Sequence, residues 1–473
     1  MARLFEIEAV EGERHLRLQA GSVPAWIHGQ YYVNGPGRFG RGGRNYRHWL
    51  DGDGLVTRVG FSEGQVECTS RFVRSKKWCD EEEASEALYR TFGTAWDGDR
   101  LRRGIALEGP ANVSAWRWQD ALLAFGEQGL PYELDPRSLE TRGEYTFGGR
   151  LSAVSPLSAH PHFDRATGEQ FNFGISFAKR NPSFTLYRFL ADGQLAYRKR
   201  LPIPFPASVH DFMLAPRHVL FYVSPHILDV DALMKRNGSV MDGLTWCPQE
   251  RSRLIVAARE TGEWLAEIEL TPKHLNGQEA RYCLHLINAW EEEDQLHLDL
   301  IELDRPVYEQ YQPLHELFTD DPQGRAKRYT LTPSSWDIVE IREHGFEASM
   351  DFPSLDPNHD QMSYDDLWLL SMSQSGRPGP KFFDQLTRIR WSTDEALSWR
   401  APEGTYLGGE PVYVAHPVDE SRGCIFTQFF DASSEQGGFL LFDARDVESG
   451  PIAHLTLDHP IPLGFHASFE LRE

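Results

Sequence analysis

An all-β fold, a propeller or a sandwich, is predicted by two observations: short β-type runs recur along the chain between turn signals, and no long amphipathic helix interrupts them. Leu186-Tyr-Arg-Phe-Leu, the turn Ala191-Asp-Gly-Gln and Leu195-Ala-Tyr-Arg read as a hairpin. Arg253-Leu-Ile-Val-Ala-Ala and Trp264-Leu-Ala-Glu-Ile flank the turn Glu260-Thr-Gly-Glu in the same way, because a Gly-containing turn separates two alternating runs. Phe439-Leu-Leu-Phe-Asp, Asp446-Val-Glu-Ser-Gly and Ile452-Ala-His-Leu-Thr-Leu repeat the plan. These units share too little sequence to fix a repeat period, so pattern alone does not count blades. No Pro/Gly/Ser-rich linker divides the 473 residues, and large all-β folds exceed the usual domain size, so residues 1–473 read as one domain.

Charge and composition narrow the partners. Lys and Arg number 48 against 70 Asp and Glu, a formal charge of −22 that opposes nonspecific binding to nucleic acid or anionic lipid. The start, Met-Ala-Arg-Leu-Phe-Glu-Ile-Glu, has no apolar signal region, and no run of about eighteen apolar residues is long enough to span a bilayer, so a cytoplasmic protein is expected. Cys68, Cys79, Cys247, Cys283 and Cys424 are scattered, odd in number and without a Cys-x-x-Cys pair, which predicts buried free thiols and neither disulfides nor a thiolate metal site. The glycines at 35, 37, 40, 42 and 43 imitate a phosphate loop by composition only and are read as turns, and no Ser-His-Asp signature is present.

Four segments each deliver a histidine in an unusual setting: Ser-Ala-His160-Pro, Val-His210-Asp-Phe, Leu-His285-Leu-Ile-Asn-Ala-Trp and Gly-Phe-His466-Ala-Ser-Phe. Their separations of 50, 75 and 181 residues rule out a zinc finger or a His-Glu-x-x-His helix, so ligands of one metal would have to converge from distant parts of a large fold. A propeller supplies the means, since the innermost strand of each blade reaches the central axis. Imidazole suits iron, zinc and copper alike.

These four motifs, together with Gly29-Gln-Tyr-Tyr-Val-Asn34-Gly35-Pro36, Asp51-Gly52-Asp53-Gly54-Leu-Val and Arg90-Thr-Phe-Gly-Thr, resemble the carotenoid cleavage oxygenases over nearly the whole chain. The resemblance implies a seven-bladed β-propeller with an axial Fe(II) and a helical or loop cap over one face. The cap candidates here are the stretches around Asp80–Arg90, Asp229–Arg236 and Pro306–Phe318. It implies His160, His210, His285 and His466 as the metal ligands, with His162, His218, His226, His297 and His459 outside the motif positions and left to packing or capping.

A neutral imidazole shell leaves a divalent charge uncompensated unless carboxylates lie behind it. The family uses three glutamates. Glu127 in Phe-Gly-Glu-Gln-Gly and Glu410 in Gly-Gly-Glu-Pro-Val match, and the family pattern pairs them with His210 and His466. The third position is Asp351 in Met-Asp-Phe-Pro, one methylene short, so either the backbone moves inward or water bridges it to His285. Where many relatives place threonine near an open coordination position this chain has Val113, read equally well as a packed core residue.

The chemistry implied is addition of dioxygen across a C=C bond of a carotenoid or apocarotenoid, giving two carbonyl products, from an apolar conjugated substrate and O2. A stilbene or phenylpropanoid alkene is the alternative; phenol-recognising relatives carry lysine immediately before the first glutamate, and this chain has Gly126. A polyene isomerase or binding protein remains the third reading, since the family's isomerase keeps the same ligands. Ile227, Leu228, Val230, Leu233 and Met234 make the segment 225–248 amphipathic, allowing peripheral membrane contact, with inward packing the stronger expectation. No partner motif is present, and a monomer is expected.

Overall fold

The computed structural model describes residues 5–102, 106–176, 178, 180–231, 238–308, 322–373 and 382–471. Among them, seven sheets of four or five antiparallel strands form the blades of a seven-bladed β-propeller. All three hairpins expected from the sequence are present: Ser183–Phe189 with Leu195–Pro202, Arg253–Ala258 with Trp264–Glu269, and Gln436–Asp443 with Pro451–Leu457.

Numbered from the N-terminus, blade 1 has Ala467–Leu471 as its innermost strand, followed outward by Gly29–Arg38, Asp53–Ser62, Gln65–Phe72 and Gly12–Arg14. Blades 2 to 7 begin at the axis with Ser114–Trp118, His162–Phe163, Met213–Leu214, Tyr282–Glu292, Met350–Ser354 and Thr405–Ala415. Burial follows radius. The second strand of blade 4, His218–Val223, is buried at every residue, because neighbouring blades cover both its faces, whereas the outermost strand, Trp264–Glu269, buries only one residue.

Both ends of the chain close the ring. Ala467 pairs with Val33 in blade 1, and Leu16–Gly21 forms the outer edge of blade 7 against Pro451–Leu457. His466 is thereby fixed beside the axis by a strand from the far end of the sequence.

The other motifs that carried the resemblance tie loops together. Asp51 accepts from Gly93 N–H at 2.8 Å and from Thr94 Oγ1 at 2.6 Å, and Asn112 Nδ2 donates to the Leu50 and Gly52 carbonyls. Asp53 is buried against Lys77 on the helix Lys76–Ala84, which overlaps the expected stretch Asp80–Arg90 only at its first five residues. Most of 229–236 and 306–318 lies outside the described residues. The glycine-rich stretch is a small hairpin, Gly40–Arg41 with Arg44–Asn45, whose turn residues Gly42 and Gly43 have φ of 61° and 78°.

All five cysteines are free, but only Cys68, Cys283 and Cys424 are buried. Cys79 is exposed, contrary to expectation, because the helix turns Lys77 and Glu81, one turn apart, toward the core and leaves position 79 outward. Among the described residues no helix is long and apolar enough to cross a membrane.

Candidate metal centre

Every blade contributes to one cluster on the axis. His160, His210 and His466 precede the innermost strands of blades 3, 4 and 1, and His285 lies within that of blade 5. The remaining blades supply the carboxylates: Glu127 follows the second strand of blade 2, Asp351 lies in the innermost strand of blade 6, and Glu410 in that of blade 7. Candidate ligands spread through the sequence are thus brought together by the radial symmetry of the fold.

One ligand nitrogen from each of the four histidines lies within 4.8 Å of all the others. An ion holding imidazole nitrogens at ~2.1 Å would separate an opposed pair by about 4.2 Å, so the group is of the right size. His160 and His210 bring their Nε2 atoms to 2.7 Å, and His285 Nε2 is buried without a hydrogen-bond partner. Such an orphaned lone pair is costly unless an ion takes it. These four residues therefore fit a metal site.

Behind the rings, His285 Nδ1 donates to Asp351 Oδ1 at 2.5 Å. His466 Nδ1 lies 3.4 Å from Glu410 Oε2, and His210 Nδ1 lies 2.8 Å from Glu127 Oε1, though off the line of a hydrogen bond. A carboxylate at Nδ1 keeps the proton there and leaves Nε2 as the donor of a lone pair. Burial, then repulsion among the four rings, pushes His160 well below the ordinary histidine value, so it stands neutral.

Backbone irregularities aim two of these carboxylates. The innermost strand of blade 6 slips register between Asp351 and Ser354, with Phe352 at φ 53°. Asp351, at the start of this bulge, reaches His285 directly, so the water-bridged alternative does not apply. Glu410 sits in a similar slip between Gly408 and Val412, where Gly409 has φ of 62° and any Cβ would press on Val33 at 3.1 Å.

A family model described as retinal pigment epithelial membrane protein matches residues 6–470. The chain belongs to this family, the carotenoid cleavage oxygenases. It is 28% identical to apocarotenoid-15,15'-oxygenase from Synechocystis, covering 95% of this chain and 91% of that one. To isoeugenol monooxygenase from Pseudomonas nitroreducens it is 26% identical, covering 98% and 94%. A solved variant of the Synechocystis apocarotenoid oxygenase superposes with a TM-score of 0.88 at 25% identity, over 100% of this chain and 98% of that one. The cobalt-substituted Synechocystis enzyme gives 0.87 at 25% identity, over 99% and 98%.

In this carotenoid cleavage oxygenase homologue two cavities stand out, of which one is walled by the cluster. One, of about 600 Å³, is lined by His160, His285 and His466 and by the polar groups Asp211, His162 and Glu410. The other, of about 440 Å³, is lined largely by aliphatic side chains such as Leu101, Leu107, Leu130, Leu228 and Val240, and reaches Gln128, next to Glu127. Its charged members are paired off, Arg102 with Glu108 at 3.2 Å and Arg90 with Asp99 at 3.0 Å. Leu228 and Val230 line this cavity; Leu233 and Met234 lie outside the described residues.

Val113 is buried in a core cluster with Phe125, Leu157 and Ala159, and its carbonyl accepts the His466 N–H at 3.1 Å. Among the other histidines, His218 pairs with Glu291 at 2.9 Å, and His297 stacks on Trp290 and bonds Thr330. Burial pushes His226 down to about 4, keeping it neutral between Tyr282 and Tyr308. Burial opposes charge on His162, yet its contact with Asp211 lifts its pKa above the ordinary value.

Two residues at the cluster escaped sequence reasoning. Phe352 packs its ring 5.3 Å from that of His285 and 5.5 Å from that of His466. Asp211, buried beside His210, is the other; the only sequence signal for either was adjacency to an expected site residue.

Proposed function

We propose that this chain is an iron(II)-dependent dioxygenase that cleaves a C=C bond of a carotenoid or apocarotenoid into two carbonyl products. The observation that carries the proposal is the convergence of His160, His210, His285 and His466, whose ring nitrogens would hold the ion. Imidazole does not choose iron over zinc or copper; family membership favours iron. Iron held there would activate dioxygen; the electrons that reduce O2 would come from the alkene itself, whose C=C bond is broken as each carbon gains one oxygen atom.

The chain's own residues do the holding and the excluding. Glu127, Asp351 and Glu410 fix the rings and supply negative charge against the divalent ion. Phe352 covers two ligand rings and keeps that side dry. The aliphatic cavity suits an apolar conjugated arm, and the relatives that act on such molecules, the apocarotenoid-15,15'-oxygenase and the Arabidopsis carotenoid 9,10(9',10')-cleavage dioxygenase, support the reading.

A phenylpropanoid alkene is the second reading, favoured by the near full-length match to isoeugenol monooxygenase. Against a stilbene phenol held as in lysine-bearing relatives stands Gly126, where a Cβ would already meet Ala111 N at 3.2 Å. Aerobic incubation of the ferrous protein with carotenoids, apocarotenals, stilbenes and alkenylphenols, with products identified by mass, tests both. Paired carbonyl fragments from a polyene are expected; fragments from phenols alone would move the assignment to the second reading, and unchanged mass with altered retention would replace cleavage by isomerisation.

The short arm of Asp351 gives a sharper prediction. Asp351→Ala is expected to weaken metal binding by about 10–100-fold, the usual cost of losing a carboxylate behind a ligating histidine. Metal content after dialysis against a graded chelator measures it, and unchanged affinity with unchanged turnover would remove Asp351 from the site.

A further inference from the structure

Three of the four candidate ligands face a carboxylate from another blade, and His160 faces none of those three. Its Nδ1 instead lies 3.6 Å from Oδ1 of Asp211. That carboxylate is 4% exposed and held from two sides: Oδ1 accepts the Phe212 N–H at 2.8 Å and Oδ2 accepts the Leu286 N–H at 2.8 Å. Asp211 follows His210 in sequence, Leu286 follows His285, and the remaining face of Asp211 looks at His160. One buried anion thus bears on three candidate ligands from blades 3, 4 and 5. The same Oδ1 also lies 3.6 Å from His162 Nε2, on the wall of the axial cavity.

We propose that Asp211 is the positioning carboxylate for His160, completing a set in which each of the four ligating imidazoles has an anion behind it. The proposal rests on the metal centre described above. At 3.6 Å the contact is an ion-pair distance and longer than a hydrogen bond, so Asp211 acts by charge: it favours the Nδ1–H tautomer of His160, directs the Nε2 lone pair to the axis and adds negative charge against the ion. Capping both Leu286 N–H and Phe212 N–H takes both oxygens, so a neutral amide loses one cap along with the charge; the roles are separated by the metal readout, which loss of a backbone cap alone would leave unmoved.

The experiment is titration of the metal-free protein with cobalt(II) under anaerobic conditions, following the ligand-field bands. Asp211→Asn keeps the size of the side chain and one of its two acceptor oxygens but removes the charge. It is expected to weaken cobalt binding by about 10–100-fold and to shift the bands, with a small fall in the thermal midpoint of the metal-free protein because one backbone N–H loses its acceptor. Asp211→Glu, which restores charge at a longer reach, should recover part of the affinity. His162→Gln, which removes the competing neighbour, should bind cobalt within about twofold of wild type.

Wild-type affinity and spectrum in Asp211→Asn would overturn the proposal, leaving Asp211 a backbone cap. A loss in His162→Gln as large as in Asp211→Asn would overturn it too, by assigning the carboxylate to His162. A wild-type protein that binds no divalent ion would instead sink the metal-centre reading itself, so the two failures are told apart by the first titration.

Discussion

Replacing His285 with alanine is expected to give a folded propeller that retains no stoichiometric metal and cleaves no alkene above background. His285 lies inside an eleven-residue innermost strand whose ladder with blade 5 does not depend on its side chain. What is lost is the Nε2 donor, which has no other partner, and the other half of the 2.5 Å pair with Asp351. The stranded carboxylate, only 5% exposed, adds a desolvation cost of about 1–3 kcal/mol, so a modest loss of thermal stability accompanies the loss of metal. Metal analysis after gel filtration, circular dichroism and oxygen uptake measure the three effects. Full occupancy and turnover in the variant would remove His285 from the site.

The second large effect is on stability. Lys77→Met is expected to cost about 3–5 kcal/mol, because it leaves two buried anions to share a single cation, Arg41. Lys77 Nζ bonds Asp53 Oδ1 at 2.7 Å and Glu81 Oε2 at 3.1 Å, and Arg41 shares the same two acids at 2.7 and 3.1 Å. Lys77, Asp53 and Glu81 have side chains no more than 1% exposed, so solvent screens little of this network. For a chain of this length the unfolding entropy is on the order of 1 kcal/mol per kelvin, so the midpoint should fall by roughly 3–5 °C. The double variant Lys77→Met/Asp53→Asn should fall by less than the sum of the singles; strict additivity would show the charges to be uncoupled.

The same cluster sets an acid limit. Burial alone would raise the Asp53 carboxyl, but Lys77 and Arg41 hold it below the ordinary value. A depressed folded-state pKa contributes stability that is fully present above the unfolded carboxylate value near 4 and is lost as pH falls through the folded value. Thermal midpoints should therefore hold above about pH 5 and decline below about pH 4, and more shallowly in Asp53→Asn.

Local sequence carries what depends on neighbours along the chain. Alternating runs around Gly-containing turns suffice for the hairpins of blades 3, 4 and 7, because strand pairing across a tight turn needs little else. The four histidines are legible because each sits in a distinctive local motif. Blade number is not, since the repeats are alike in hydrogen bonding and burial, which many sequences satisfy. Nor is the exposure of Cys79, which depends on which face of a short helix finds a buried charge partner.

By itself the sequence determined the fold class, the candidate histidines and the family resemblance, all properties of residue identity and local order. The tertiary structure alone decided that His466 reaches the axis through a strand closing blade 1, and that Asp351 touches His285 directly from a bulge in blade 6. It alone decided that Asp211 stands behind His160. Contacts such as these join residues that are 50 or more positions apart in sequence, and only the ring geometry of seven packed blades specifies their distances and directions.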